Sequence, residues 1–297
     1  MTLLITGSIG LDSVETPAGS LNDGLGGSAS YASSAASFFY DQVILSAAVG
    51  EDFPENYIDF YKSRKVDLAG LKIVKGNKTF RWQARYEGDL SEAQTLKTEL
   101  NVLALPPEEL SPQHKKSQYV FLANDSPQNQ LKIINSLTEP RIIAADTMNL
   151  WIETDKDNLQ EVISRINILF INDAEARLLT GQDDLLKAAQ VLLTKGPKLV
   201  AVKKGREGAL IVTGDNNFIS PAYLTDQAKD TTGAGDSFAG SFMGYIASSG
   251  NLTIEVITKA ACYGNTVASF VVEDFSLKAF ENLTREKIED RALSLRV

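Results

Sequence analysis

A chain of 297 residues, 43% hydrophobic and 23% charged, has ordinary globular composition and ample length for a sizeable core. Its 38 acidic against 29 basic side chains leave a formal charge of −9, which excludes a general nucleic-acid binder, since that needs a basic face, but leaves room for a local basic spot beside a nucleotide. One cysteine and one histidine exclude an intrachain disulfide, a cysteine-held zinc and a histidine-based triad; Cys262 reads as a small buried hydrophobe and His114, in the polar run 111–117, as a solvated side chain.

The chain opens Met1-Thr2-Leu3-Leu4-Ile5-Thr6-Gly7, without the basic start and long apolar core of a secretory signal. Nowhere does an apolar run approach the ~20 residues that span a bilayer. A cytoplasmic protein with no membrane partner is expected. Residues 3–5 predict a first strand, turned by Gly7-Ser8-Ile9-Gly10. The stretch 28–39, rich in alanine and serine, predicts a packed helix. Residues 43–49 predict a strand ended by Gly50-Glu51-Asp52, and 57–64 a helix. Between 71 and 103, Phe80, Trp82 and Tyr86 recur at even spacing, the period of a strand with one covered face, so this stretch predicts a small β-rich lid. Further on, 120–123, 142–145, 168–171, 199–202 and 209–212 read as short apolar strands. Helical stretches at 128–137, 157–164, 173–180 and 184–193 separate most of them, and two more helices follow near 233–248 and 254–272. Strands alternating with helices predict an α/β fold: a three-layer α/β/α sandwich around a central, mostly parallel sheet. No repeat or Pro-rich linker divides the chain. Residues 1–297 read as a single domain, with its lid drawn mainly from about 71–103 and in part from 12–25.

The strongest chemical signal is Asp230-Thr231-Thr232-Gly233-Ala234-Gly235-Asp236-Ser237-Phe238, after which Phe242, Tyr245 and Ile246 continue at helical spacing. A loop of small residues opens straight into a helix, where free amides and the positive helix end converge on an anion. Gly233, Ala234 and Gly235 carry almost no side chain, so a phosphoryl group can approach the main chain. Asp236 would repel such a ligand; its place is explained if it takes the proton of an attacking hydroxyl. The residues alone leave open a glycine-rich turn with Asp236 as helix cap. Asn172-Asp173-Ala174-Glu175 has a similar double reading. Three apart on a first helical turn, Asn172 and Glu175 share a face and offer hard oxygens to Mg²⁺ through waters, or form a capping box. The run Val202-Lys203-Lys204-Gly205-Arg206-Glu207-Gly208-Ala209 joins two apolar strands, as a plain hairpin turn or as a close approach to a ligand.

Residues 230–236 and the following Ser-Phe-Ala-Gly resemble the C-terminal signature of the ribokinase-like (PfkB-type) carbohydrate kinases, and the resemblance runs from Gly7 to about Val272. It implies a ribokinase-like fold with a β lid over the acceptor, ATP as phosphoryl donor and Mg²⁺ as cofactor. By resemblance, Gly233, Ala234 and Gly235 form the anion hole, Asp236 is the catalytic base, and Asn172 and Glu175 order Mg²⁺ through water. Lys203, Gly205 and Gly208, together with Asn265 of the late helix, lie against the nucleotide; Lys203 stands where threonine is usual and is placed to meet a phosphate. Asp12 corresponds to the acceptor-binding aspartate. Gly26 and Gly27 correspond to the N-terminal signature, which continues to Val49-Gly50-Glu51-Asp52. Tyr31 stands where that signature has asparagine, which points away from ribose itself and towards a flatter or more apolar acceptor. Asp230 corresponds to a K⁺ ligand, although Glu273-Asp274-Phe275-Ser276 lacks the usual glycine. Phe80, Arg81, Trp82, Arg85 and Tyr86 are candidates for acceptor contact, and the lid is a candidate homodimer surface.

Gly24-Leu25-Gly26-Gly27-Ser28-Ala29 also fits a loose dinucleotide fingerprint. That fingerprint needs a strand directly before it, and 15–23, with Pro17 and many polar residues, predict none. Neither a P-loop nor the protein-kinase motifs occur. The expected function is phosphorylation of a hydroxyl on a small sugar or polyol. The alternative is a nucleoside kinase of the same family, favoured if Tyr31 and Trp82 sandwich a base. A catalytically silent sugar- or nucleotide-binding regulator stands third, at odds with the intact Asp236, Asn172 and Glu175.

Overall fold

A computed structural model describes residues 1–88, 90, 92–107 and 109–295. In chain order the strands are β1 (Leu3–Thr6), β2 (Gly10–Thr16), β3 (Gly19–Gly26), β4 (Val43–Gly50), β5 (Asp67–Val74), β6 (Phe80–Tyr86), β7 (Ala93–Glu99), β8 (Tyr119–Leu122), β9 (Ile142–Ala145), β10 (Ile168–Asn172), β11 (Leu199–Lys203), β12 (Ala209–Thr213) and β13 (Asn217–Ser220). The helices are α1 (Ser28–Ala36), α2 (Glu55–Ser63), α3 (Pro127–Ser136), α4 (Asn149–Thr154), α5 (Lys156–Ser164), α6 (Asp173–Thr180), α7 (Leu185–Leu193), α8 (Ala234–Ser249), α9 (Ile254–Val271), α10 (Lys278–Glu281) and α11 (Arg285–Leu293).

Nine strands form one sheet in the order β13-β12-β11-β10-β9-β8-β1-β4-β5. Pairing is parallel from β11 through to β5. β12 and β13 run antiparallel because only short turns join them. The parallel strands β1, β8, β9, β10 and β11 are buried on both faces, as a place between two helical layers requires, whereas β5 is an exposed edge. Leu3, Ile5, Leu45, Phe121 and Phe170 point into one core, shared with α1, α8 and α9. Leu4, Ile44, Val120, Leu122 and Leu169 point into the other, shared with α3, α5 and α7. On the first side α8 crosses α1 very closely. A methyl on Gly240 would lie 2.2 Å from the Ala32 carbonyl oxygen, and one on Gly244 would lie 2.6 Å from that of Ala36.

The lid is a separate four-stranded sheet, β3-β2-β6-β7. Residues 71–74, expected in the lid, instead end β5 and pair with β4 at the edge of the large sheet. Two of its strands, β2 and β3, lie in 10–26, around the 12–25 named for part of the lid; polar composition hid their strand character, since in β3 five of the eight residues face solvent or nearly so, and a one-layer sheet needs only one apolar face. A strand therefore does precede the Gly24–Ala29 fingerprint, contrary to expectation. It is a lid strand antiparallel to β2, not the first strand of a βαβ unit, so the fingerprint's geometry is still lacking. His114 is 4% exposed rather than solvated, within a short 3₁₀ turn whose first amide is accepted by Ser111 Oγ. Cys262 is half-buried against the α1–α8–α9 core.

Candidate active site

The carboxyl ends of β1, β8, β9, β10 and β11 open on one edge of the sheet, and the start of α8 arrives at that edge. Gly233 precedes α8 with φ 74, a left-handed conformation that suits glycine. A methyl there would sit 2.4 Å from three carbons of the Tyr31 ring, so the face of Tyr31 lies flat against the cradle. The Ala234 amide turns back to the Thr231 carbonyl at 3.2 Å. The Gly235 amide, in the unpaired first turn, has no acceptor among the described residues. That free donor, at a helix start lined by glycines, suits a phosphoryl oxygen.

Asp236 is the third residue of α8 and keeps part of its surface open. Burial pushes its carboxyl up to about 6, and the negative charge of Asp146 adds to this while Lys203 opposes it. Asp12, on β2, is 5% exposed. Its Oδ1 has no hydrogen-bond partner, and its carboxyl also accepts the Gly27 amide. Burial pushes Asp12 up to about 7, against the Gly27 hydrogen bond and with help from Asp230 and Asp236. A methyl on Gly26 would lie 1.9 Å from Asp12 Oδ2, so the glycine pair makes room for this carboxylate. The chain thus brings Asp12, Tyr31, Asp230 and Asp236 into one electrostatic neighbourhood.

Asn172 and Glu175 realise the capping box: Glu175 N–H donates to Asn172 Oδ1 at 2.8 Å, and Asn172 N–H donates to Glu175 Oε2 at 2.9 Å. The same geometry leaves Glu175 buried beside Lys203, because Asn172 and Lys203 are register partners on β10 and β11. Burial pushes the Glu175 carboxyl up to about 7, against the pull of Lys203. Among the described residues no three acidic, histidine or cysteine side chains stand close enough to hold a metal alone. The hard oxygens of Asn172 and Glu175 fit Mg²⁺ held through waters, the ion's other contacts going to substrate phosphates.

Lys203 bonds Asp146 at 2.6 Å. Burial alone would discharge the ammonium, but Asp146, Glu175 and Asp236 more than offset this and raise its affinity for the proton. Gly205 borders open space, whereas a methyl on Gly208 would strike the Ser220 carbonyl at 2.1 Å. Gly208 is therefore a packing glycine, and Gly205 faces open space. Asn265 lies apart from the cradle's charged groups; its amide donates to the Ser220 carbonyl at 2.9 Å and to Ser220 Oγ at 3.0 Å, tying α9 to β13. Asp230 accepts the Thr232 amide at 2.9 Å and also that of Ser276. Ser276 takes φ 58, so serine adopts the bend expected of the missing glycine, and its Oγ donates to the Leu25 carbonyl at 2.5 Å.

The lid is docked on the cradle. Thr231 Oγ1 donates to the Leu90 carbonyl at 2.7 Å, and Thr232 Oγ1 donates to Tyr86 Oη at 3.1 Å. Val14, Tyr86 and Leu90 pack together with Trp82 and Ala228. Arg81 and Arg85 do not face that cluster: Arg81 pairs with Asp52 at 2.7 Å and Asp23 at 3.3 Å, and Arg85 with Glu15 at 2.7 Å. The arrangement that would favour a nucleoside, Tyr31 and Trp82 on either side of a base, is not what the side chains form. Tyr31 lies on Gly233, and Trp82 Nε1 donates to Thr95 on the neighbouring strand at 3.1 Å. Asp146 escaped the sequence reading altogether. Its signal was present: a single acid directly after the apolar run 142–145, at the carboxyl end of a parallel strand.

A family profile described as pfkB family carbohydrate kinase matches residues 8–282. A cytidine kinase of Thermococcus kodakarensis is 31% identical over 247 residues, 82% of this chain and 87% of that protein. A nucleoside kinase of Methanocaldococcus jannaschii is 29% identical over a match that spans 56% of this chain and about half of that protein, 52%. The crystal structure of adenosine kinase from Sinorhizobium meliloti superposes with a TM-score of 0.83 over 98% of this chain and 99% of that one; at 18% identity this likeness speaks for the fold alone.

Proposed function

The chain belongs to the pfkB family of carbohydrate kinases, and on that footing we propose that it transfers the terminal phosphoryl group of ATP to a hydroxyl of a small carbohydrate or polyol. One observation carries the reading: the free Gly235 amide and the Asp236 carboxyl sit at the start of α8, with the unpartnered Oδ1 of Asp12 in the same neighbourhood. Asp12 grips the acceptor, since a buried oxygen without a partner gains most from a hydroxyl. Asp236 takes the proton from the attacking hydroxyl onto its carboxylate. The Gly235 amide and the Lys203 ammonium hold the charge that develops on the phosphoryl oxygens. Asn172 and Glu175 would hold Mg²⁺ through water; when bound, the ion neutralises charge on the phosphates. Leu90 and Tyr86, docked on Thr231 and Thr232, close the site against water. Asp230 and the bend at Ser276 are where a K⁺ requirement would reside. We place self-association on the lid, whose β7 is mostly exposed and carries Leu96 at 47% exposure.

The cytidine kinase of Thermococcus kodakarensis supports a second reading, a nucleoside as acceptor. Thermal-shift and phosphate-transfer measurements on a panel of pentoses, hexoses, inositols and nucleosides, each with ATP and Mg²⁺, separate the two. Stabilisation and turnover with free sugars or polyols are expected for the first reading and with nucleosides alone for the second. No transfer to any member of the panel, with intact ATP binding, rejects both.

A further inference from the structure

A buried charge pair lies against the cradle, and its acid has no role in the reaction just described. Asp146 follows β9, and its side chain is 2% exposed. One carboxylate oxygen accepts from Lys203 Nζ at 2.6 Å and the other from the Thr147 amide at 2.9 Å, while its carbonyl accepts from Gln130 Nε2 at 3.0 Å. The acid is therefore held from several directions. Lys203 ends β11, so the pair reaches from β9 across the end of β10. On its other side the lysine meets the cradle: a methyl on Gly235 would lie 3.2 Å from Lys203 Nζ and 3.4 Å from Cδ. A lysine ammonium on its four-carbon stem is a mobile point charge, and a buried carboxylate that bonds it selects one position. That position adjoins Gly235, one residue from Asp236. A base at Asp236 must stand beside the hydroxyl that attacks the terminal phosphorus, so an ammonium at Gly235 faces the terminal phosphoryl group and not the inner ones.

We propose that Asp146 is a positioning residue, which fixes the Lys203 ammonium against Gly235 so that it meets the terminal phosphoryl group of the nucleotide. The inference rests on the reading of 233–236 as the phosphoryl cradle. The test compares Lys203→Met, Asp146→Asn and the double variant with the unaltered protein, by calorimetric titration with ADP and with the β,γ-imido analogue of ATP, both with Mg²⁺. Loss of one charge-assisted hydrogen bond predicts about tenfold weaker imido-ATP binding for Lys203→Met, with ADP changed less than about twofold. Asp146→Asn is expected to show the same selectivity, and the double variant to match Lys203→Met, because Asp146 reaches the nucleotide only through the lysine. If Asp146→Asn does not fold, the comparison of the double variant with Lys203→Met carries the test, since removing both partners leaves no unpaired buried charge. Three results overturn the proposal: a double variant several-fold weaker than Lys203→Met, equal losses for ADP and imido-ATP, or recovery of Asp146→Asn by tenfold more Mg²⁺. An unaltered protein that binds neither nucleotide sinks the cradle reading itself, and the proposal with it.

Discussion

At the scale of single residues, the proposed chemistry turns on Asp236. Its carboxyl is pushed up to about 6, first by burial and then by Asp146. A group of that kind is ionised at neutral pH yet basic enough to accept a proton in flight. Asp236→Asn keeps the shape and removes the base. It is expected to retain ATP affinity within a few-fold and to lose turnover by roughly three orders of magnitude or more, the upper part of the range for general-base removal. Near-normal turnover would remove Asp236 from the base role. The same shift sets the pH dependence: the working form is the carboxylate, so kcat/KM is expected to fall as pH drops through about 6. A profile flat down to pH 4.5 contradicts this. The motif 230–236 made Asp236 legible before any coordinates, because glycines that open a helix and a carboxylate that follows them have few joint explanations. Asp146 was not legible in that way, since its meaning comes from Lys203, 57 positions away in sequence.

At the scale of elements, two devices place the site. The first is the capping box at the start of α6, which uses the two residues assigned to Mg²⁺. Glutamine serves as well as glutamate at this position of a capping box. Glu175→Gln should therefore hold thermal stability within about 0.5 kcal/mol while raising the Mg²⁺ concentration needed for half-maximal turnover. An unchanged metal titration with unchanged stability would assign Glu175 to the helix alone. The second is the crossing of α8 over α1, where Gly240 and Gly244 let backbones touch. Gly244→Val puts side-chain carbons where the Ala36 carbonyl stands. The expected loss is about 1–3 kcal/mol, read as a fall of several degrees in Tm, and a loss of nucleotide affinity should accompany it as α8 shifts. A variant as stable as the parent would show that the crossing has slack.

At the scale of the whole molecule, the closed edge of the sheet holds more negative charge than it neutralises. Asp12 and Glu175 are both pushed up to about 7 and Asp236 to about 6, chiefly by burial. Each folded-state value lies above the unfolded one. The folded protein therefore binds more protons than the unfolded chain between about pH 4 and 7, and stability from these groups is present at low pH and is lost as pH rises through the folded values. Asp12→Asn removes one such group. The Tm difference between pH 5 and pH 8 is expected to shrink in that variant, with the gain in stability confined to the alkaline side. An unaltered difference would mean that Asp12 titrates normally. On the proposed reading, an acceptor hydroxyl for Asp12 and Mg²⁺ near Glu175 would offset this cost when the ligands bind.

The local pattern of residues was enough to determine the α/β class and the alternation of strands and helices after Tyr119, and it singled out 172–175 and 233–236 as the candidates on which the proposed reaction rests. Periodicity and backbone chemistry act over a few residues, so they can be read along the chain. Only the tertiary structure decided that β2 and β3 are strands of the small sheet, that 71–74 belongs to the large sheet, and that His114 is buried. It likewise decided that Tyr31 backs the glycine cradle, that Asn265 holds Ser220, and that Asp146 holds Lys203. Each of these depends on which distant segment covers a face or meets a charge, and burial and pairing across the chain are properties of the packed molecule.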